Sequence, residues 1–188
     1  KLVSEQSSEV TIMLIDLKQL LAGKTGRVEI DHEFPLDDPE LPFDTAVEGV
    51  KYSGTARVRG EILDMGGCVS LSVKVSVDYD TECARCLAPL HRSLTVTLSR
   101  TLVEAGSLEN TPEEDADDYL EYTDGMLDID TPAAEEIVMS LPTRELCRED
   151  CKGLCPKCGK DLNEGDCGCV KKEIDPRLAI LQKLLEKQ

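Results

Sequence analysis

Eight of the nine cysteines fall into pairs or runs with the spacing of metal ligands, and nothing else in the chain limits its fold as sharply. The densest run reads Cys147-x3-Cys151-x3-Cys155-x2-Cys158-x8-Cys167-x-Cys169, and a separate Cys83-Ala84-Arg85-Cys86 lies about sixty residues upstream. Ligands close in sequence lose little chain entropy when they converge on one ion, so tetrahedral zinc sites are commonly built from such pairs. Cys155-Pro156-Lys157-Cys158-Gly159 has the form of a zinc knuckle, in which a glycine at φ > 0 lets backbone N–H groups turn towards the sulfurs.

Counting ligands divides the run. One zinc takes four, and six cysteines between 147 and 169 are too many for one site and too few for two. With Cys83 and Cys86 there are eight. The economical partition is a local site of Cys155, Cys158, Cys167 and Cys169 and a composite site of Cys83, Cys86, Cys147 and Cys151, with Cys68 read as a buried strand or turn thiol. Two structural Zn²⁺ are expected, or one if the composite site does not form. Two readings stay open beside it: Cys147 and Cys151 as packing residues on one helical face, and Cys83/Cys86 as a redox dithiol. The dithiol reading lacks the strand-to-helix context of thioredoxin-like motifs.

Composition bounds the function. At 188 residues the chain suits one medium domain, or one with a small appendage. Aromatics make up 3% with no Trp, which leaves an aliphatic core and few platforms for stacking single-stranded nucleic acid. The formal net charge of −17 opposes a bulk grip on phosphate and suits a basic protein partner. Residues 147–188 carry nine Lys/Arg against eight Asp/Glu, and the remainder twelve against thirty, so the negative charge resides in residues 1–146. Neither a signal-peptide pattern nor an 18-residue apolar run is present, and cysteines at metal spacing without an export signal favour metal over disulfides. A cytoplasmic protein with no membrane contact is expected.

The patterning predicts an α+β fold: an antiparallel β-meander or partly closed barrel, flanked by short helices and followed by a C-terminal Cys-rich zinc segment. Val10–Ile15 reads as a strand, Leu17–Leu21 as a short helix capped by Asp16, residues 26–30 as a strand, and Glu33–Asp44 as a Pro-rich acidic loop. Residues 56–62, 69–79 and 94–98 alternate apolar with polar, and Asp64–Gly67 is a turn. Residues 109–124 hold eight acids in sixteen positions and read as a solvated linker. Thr131 and Pro132 read as a helix start, the helix ending before Pro142, and Asp175-Pro176 opens a last helix with Leu178, Leu181 and Leu185 on one stripe. The expected division is a mainly β domain at 1–108 carrying the first Cys pair, an acidic linker at 109–130, and a helix, zinc segment and C-terminal helix at 131–188 packed on the β domain. No repeat is evident.

Catalysis is not expected. Catalytic zinc keeps an open position and usually takes His or carboxylate ligands. The two histidines, His32 in the acidic loop and His91 after the first Cys pair, read as surface residues or, for His91, as a support to the ligands. No phosphate loop, nucleophile elbow or small-molecule site stands out.

The order of these segments carries a resemblance. An alternating β region runs into Cys83-Ala84-Arg85-Cys86-Leu87-Ala88-Pro89. After the acidic stretch come Leu141-Pro142, Leu146-Cys147, Asp150-Cys151-Lys152-Gly153-Leu154-Cys155-Pro156-Lys157-Cys158-Gly159-Lys160-Asp161-Leu162-Asn163 and Asp175-Pro176-Arg177-Leu178-Ala179. This resembles the bacterial YceD family, the large ribosomal RNA subunit accumulation proteins, from about residue 10 to 185. The resemblance implies a cytoplasmic, non-enzymatic factor supporting accumulation or processing of large-subunit (23S) rRNA. Its partner would be the rRNA precursor, a basic ribosomal protein or a processing factor. Some relatives lack the C-terminal cluster, so that cluster is not implied to be essential. Candidate contact residues are Arg57, Arg59, Arg85 and Arg92, with Lys74 and Arg100 nearby, and Lys152, Lys157 and Lys160, with Lys171 and Lys172 beyond. A zinc- or thiol-responsive redox regulator is the alternative, and a zinc ribbon in a transcription complex a third reading.

Overall fold

The computed structural model describes residues 14–36, 41, 44–108 and 117–169. The chain divides into two compact units: Lys1–Glu82 with Pro89–Glu145, and Cys83–Ala88 with Leu146–Gln188.

In the first unit the strands are β1 (Leu14–Asp16), β2 (Arg27–Pro35), β3 (Lys51–Tyr52), β4 (Thr55–Asp64), β5 (Val69–Glu82), β6 (Pro89–Glu104), β7 (Tyr119–Tyr122) and β8 (Met126–Asp128). The helices are α1 (Lys18–Leu21) and α2 (Asp130–Ser140). Six strands form one sheet in the order β2-β4-β5-β6-β7, with β3 beside β5 where β4 ends; β1 and β8 form a separate pair. β2–β4, β4–β5 and β5–β6 are antiparallel, while β7 lies parallel to β6. Among the described residues β2 and β7 end the sheet and do not pair with each other, so it is open rather than a partly closed barrel.

Period-two alternation explains the sheet. Leu71, Val73, Val75, Val77 and Tyr79 of β5 are buried, as are Ala56, Val58 and Ile62 of β4. All but Tyr79 share one core with Ile30 and Phe34 of β2, Leu98 and Leu102 of β6, and Ala133, Ala134 and Ile137 of α2, which packs on β5 and β6. Each such aliphatic side chain contributes about 1.5–3 kcal/mol when fully buried. The other face is wet and laced by cross-strand ion pairs: Arg57 with Glu33, and Arg59 with Asp31 at 3.1 Å, each between register partners. Gly60 interrupts the alternation of β4 for a steric reason. A Cβ there would lie 2.1 Å from the Ser72 carbonyl oxygen and 2.6 Å from Val73 Cα, so the backbone of β5 occupies the place of a side chain.

Several expectations need correcting. The Pro-rich loop begins later than read, because β2 extends through Glu33, Phe34 and Pro35. Within the stretch read as linker, residues 119–122 and 126–128 are strands; Leu120 and Tyr122 pack on the core and Glu121 between them faces solvent. α2 starts at Asp130, one residue before the expected Thr131 cap. Asp128 does the capping, its carboxylate accepting from the N–H groups of Asp130 and Thr131 and from the Thr131 hydroxyl. Cys68 is exposed, not buried. Residues 10–13, 109–116 and 175–185, over which other elements were expected, lie outside the described residues.

His32 is not a surface residue of a loop. It sits on β2 with its side chain 18% exposed, stacked on Phe34, and its Nε2 lies 2.9 Å from Oδ1 of Asp130, whose side chain is 5% exposed. Removing one partner of a buried pair strands the other's polar group. We therefore expect His32→Ala to destabilise the protein by about 2 kcal/mol in chemical denaturation, with Asp130→Ala adding little on top. Additive losses in the double variant would show that the two groups do not interact.

Candidate metal centre

The described residues of the second unit have almost no aliphatic interior. Their buried hydrophobic side chains are Cys83, Cys86, Cys151 and Cys155. The unit is built instead from two copies of one turn. In the first, the Cys83 N–H donates to the Ala88 carbonyl (2.9 Å) and the Leu87 N–H to the Cys83 carbonyl (2.9 Å). In the second, the Cys155 N–H donates to the Lys160 carbonyl (2.8 Å) and the Gly159 N–H to the Cys155 carbonyl (2.9 Å). The fifth residue of each turn has positive φ, +73° at Gly159 and +60° at Leu87. The repeat escaped the sequence because Leu87 occupies the glycine place, a conformation that non-glycine residues seldom adopt.

Each turn offers two sulfurs to a group of four. Cys83, Cys86, Cys147 and Cys151 have all their Sγ atoms within 4.8 Å of one another, and so do Cys155, Cys158, Cys167 and Cys169. These are the two sets that ligand counting paired. In the first set Cys83 and Cys151 are 3.8 Å apart and Cys86 and Cys147 3.6 Å. A disulfide needs about 2.05 Å, whereas tetrahedral zinc with sulfur at about 2.3 Å sets sulfur–sulfur edges of about 3.8 Å. The donor sets therefore fit a tetrahedral, thiophilic ion.

Electrostatics point the same way. The backbone N–H of Cys147, with those of Arg85 and Cys86, brings the Cys83 thiol down to about 6. The backbone N–H groups of Cys158 and Lys157 do the same for Cys155, also to about 6. Cys147 is pushed up to about 12, first by the neighbouring Cys151 thiol, and Cys169 to about 12, first by Cys158. Each group thus sets a thiol that ionises readily beside one that resists, and a divalent cation reverses that resistance.

Residues outside the ligand sets hold them in place. The Arg85 guanidinium donates to the Cys151 carbonyl at 2.7 Å, and its own carbonyl accepts from the Leu154 N–H at 3.0 Å. Gly153, at φ +72°, lets these segments meet: a Cβ there would lie 2.8 Å from the Arg85 oxygen. Asn163 donates from Nδ2 to Cys151 Sγ at 3.4 Å and accepts the Lys152 N–H at 2.8 Å. No spacing rule marks a lone Asn between ligand pairs, so sequence reasoning passed over it.

The candidate contact residues fare unevenly. Besides Arg57, Arg59 and Arg85, Arg92 meets Glu145 at 3.5 Å and Arg100 meets Glu136 at 3.1 Å. Lys160 donates to the Asp166 carbonyl. Lys74, Lys152 and Lys157 have no side-chain carboxylate partner among the described residues. Lys171 and Lys172 lie outside them. His91 is exposed and bonded to Asp80 at 2.8 Å, holding that carboxyl below its ordinary value.

A family model described as "Large ribosomal RNA subunit accumulation protein YceD" matches residues 71–185, which takes in both cysteine sets. The chain belongs to the YceD family. An uncharacterized Mycobacterium tuberculosis protein is 35% identical over 149 residues, covering 79% of this chain and 61% of the relative. An uncharacterized Mycobacterium leprae protein is 31% identical over 138 residues, 66% of this chain and 62% of the relative. The uncharacterized protein YlbN of Bacillus subtilis is 27% identical over 168 residues, 82% and 92%. This YceD chain thus spans about 61% of the length of the first mycobacterial relative. No solved structure matches it. Among the described residues no helix is long and apolar enough to cross a membrane.

Proposed function

We propose that this YceD-family chain is a non-enzymatic ribosome-biogenesis factor of the cytoplasm, supporting accumulation of large-subunit rRNA by binding a basic ribosomal protein. Family membership carries the ribosomal role. Two all-cysteine sets support two structural Zn²⁺ ions, because four thiolates leave no open position for substrate. The choice of a protein partner over naked RNA follows from charge. The net charge is −17, and Arg57, Arg59, Arg92 and Arg100 each face a carboxylate. Freeing them for RNA would leave those carboxylates facing the phosphates.

The expected result is binding to a basic large-subunit protein that weakens steeply between 50 and 300 mM salt, roughly tenfold or more as surface charge is screened. The isolated chain should show no measurable affinity for rRNA fragments. Nanomolar RNA binding in a gel-shift assay by the isolated chain would overturn the protein-partner reading.

A second reading has one observation in its favour. With its thiol near 6, Cys83 is a thiolate at neutral pH beside Cys86, as in redox dithiols. A thiol-responsive regulator would form the Cys83–Cys86 disulfide and release metal under mild oxidant. Retention of two zinc ions under those conditions, seen by native mass spectrometry, would exclude it.

A further inference from the structure

Asn163 belongs to one cysteine set by chain position and to the other by contact. It lies between Cys158 and Cys167, ligands of the local set, so its backbone is placed when those four sulfurs close on an ion. Its side chain points across to the composite set: Nδ2 donates to Cys151 Sγ at 3.4 Å, and Oδ1 accepts the N–H of Lys152, the next residue. Three backbone links tie the same two segments. Leu162 N–H donates to the Gly153 carbonyl at 2.9 Å, Cys155 N–H to the Lys160 carbonyl at 2.8 Å, and Leu154 bridges Asp161. Asn163 is itself fixed by the Asp161 carboxylate, which accepts from its Nδ2 (2.7 Å) and its backbone N–H (2.8 Å).

From this arrangement we infer that the two centres load metal cooperatively, with Asn163 as the positioning residue that couples them. The inference rests on reading both sets as zinc sites. Closing the local set orders residues 158–167. That order presents Asn163 to Cys151 and pins the backbone between Cys151 and Cys155, so the composite set then closes on zinc with less ordering left to do. Coupling is reciprocal: closing the composite set fixes Cys151–Gly153, and with it the segment that carries the ligands of the local set. The donor to Cys151 also acts directly, because a hydrogen bond to a metal-bound thiolate sets its orientation and electron density. Nothing comparable is needed where two sites merely sit in one chain.

The test titrates Zn²⁺ into reduced, metal-free full chain and counts zero-, one- and two-ion species by native mass spectrometry. Coupling of ordinary strength raises the affinity for the second ion about tenfold, so for sites of similar affinity the one-ion species at half-loading should fall from about half of the chains to about a quarter. In Asn163→Ala the second affinity should fall about tenfold and the one-ion species accumulate. Asn163→Asp keeps an acceptor for Lys152 but removes the donor to Cys151, and should behave similarly. Cobalt substitution adds a reading that a merely structural residue would not move. The sulfur-to-cobalt charge-transfer band of the composite centre should shift in both variants, while Cys158→Ser chains provide that centre's spectrum alone. One-ion chains at the level of independent sites in the unaltered protein, or variants that load like it, would overturn the coupling while leaving two zinc sites standing. Chains that bind no zinc at all would overturn the metal reading and the coupling with it.

Discussion

On the proposed zinc reading, stripping the metal is expected to unfold the second unit and leave the first standing. Structural zinc contributes apparent binding energies of about 10–16 kcal/mol at neutral pH, and in small units that energy is the folding energy. The second unit fits that case, since its buried hydrophobic side chains among the described residues are cysteines. The first has a continuous core of Leu, Ile, Val and Ala with Phe34. A strong chelator should therefore abolish amide protection across residues 83–88 and 146–169 while β4, β5 and β6 stay protected in hydrogen exchange. Cys83→Ser and Cys155→Ser should each lose one bound ion. A single ion in the unaltered protein that Cys83→Ser leaves in place would mean that the composite set holds no metal. The pH dependence follows from the thiols. Zinc requires thiolates, and at pH 7 Cys83 and Cys155, held near 6, are already ionised, whereas Cys147 and Cys169, near 12, are not. Binding at neutral pH thus releases protons, and affinity rises with pH. Acidification through pH 6 protonates even the two ready thiolates, and zinc loss should steepen there.

The largest single-residue effect in the first unit is expected at Gly60. In Gly60→Ala the new methyl meets the Ser72 oxygen at 2.1 Å and Val73 Cα at 2.6 Å. Both are backbone of β5, the strand that pairs with β4 on one side and β6 on the other, so no side chain can rotate out of the way. Overpacking of this kind costs about 3 kcal/mol, which in a protein of this size lowers the melting temperature by roughly 6–12 °C. A melting temperature within a degree of the parent would show that the strands separate freely at this point.

These two sites show what the sequence disclosed and what it hid. The cysteine partition was legible because coordination number is an integer: eight sulfurs at short spacings leave few ways to make groups of four. β4, β5 and β6 were legible because each has one buried face, and alternation records it. β7 was hidden because its pairing with β6 is parallel and non-local, and Asp117, Asp118 and Asp124 flank its four residues. His32 and Asp130 were hidden because their pairing joins positions ninety-eight residues apart. Gly60 drew no reading from the sequence because the reason for it belongs to the neighbouring strand. Leu87 concealed the second copy of the turn.

The second unit is discontinuous in the chain, and this governs the timing of its assembly. Cys83 and Cys86 are made sixty-four and sixty-one residues before Cys147. At about 5–20 residues per second, a nascent chain carries that first pair for roughly 3–13 s before its partners exist. During that interval β5 and β6 can pair while the tip between them keeps two reduced thiols without the rest of their ligand set. On the proposed zinc reading, the supply of reductant and free zinc beside the translating ribosome enters the folding of this protein directly, and a chain released early keeps half of a cysteine set.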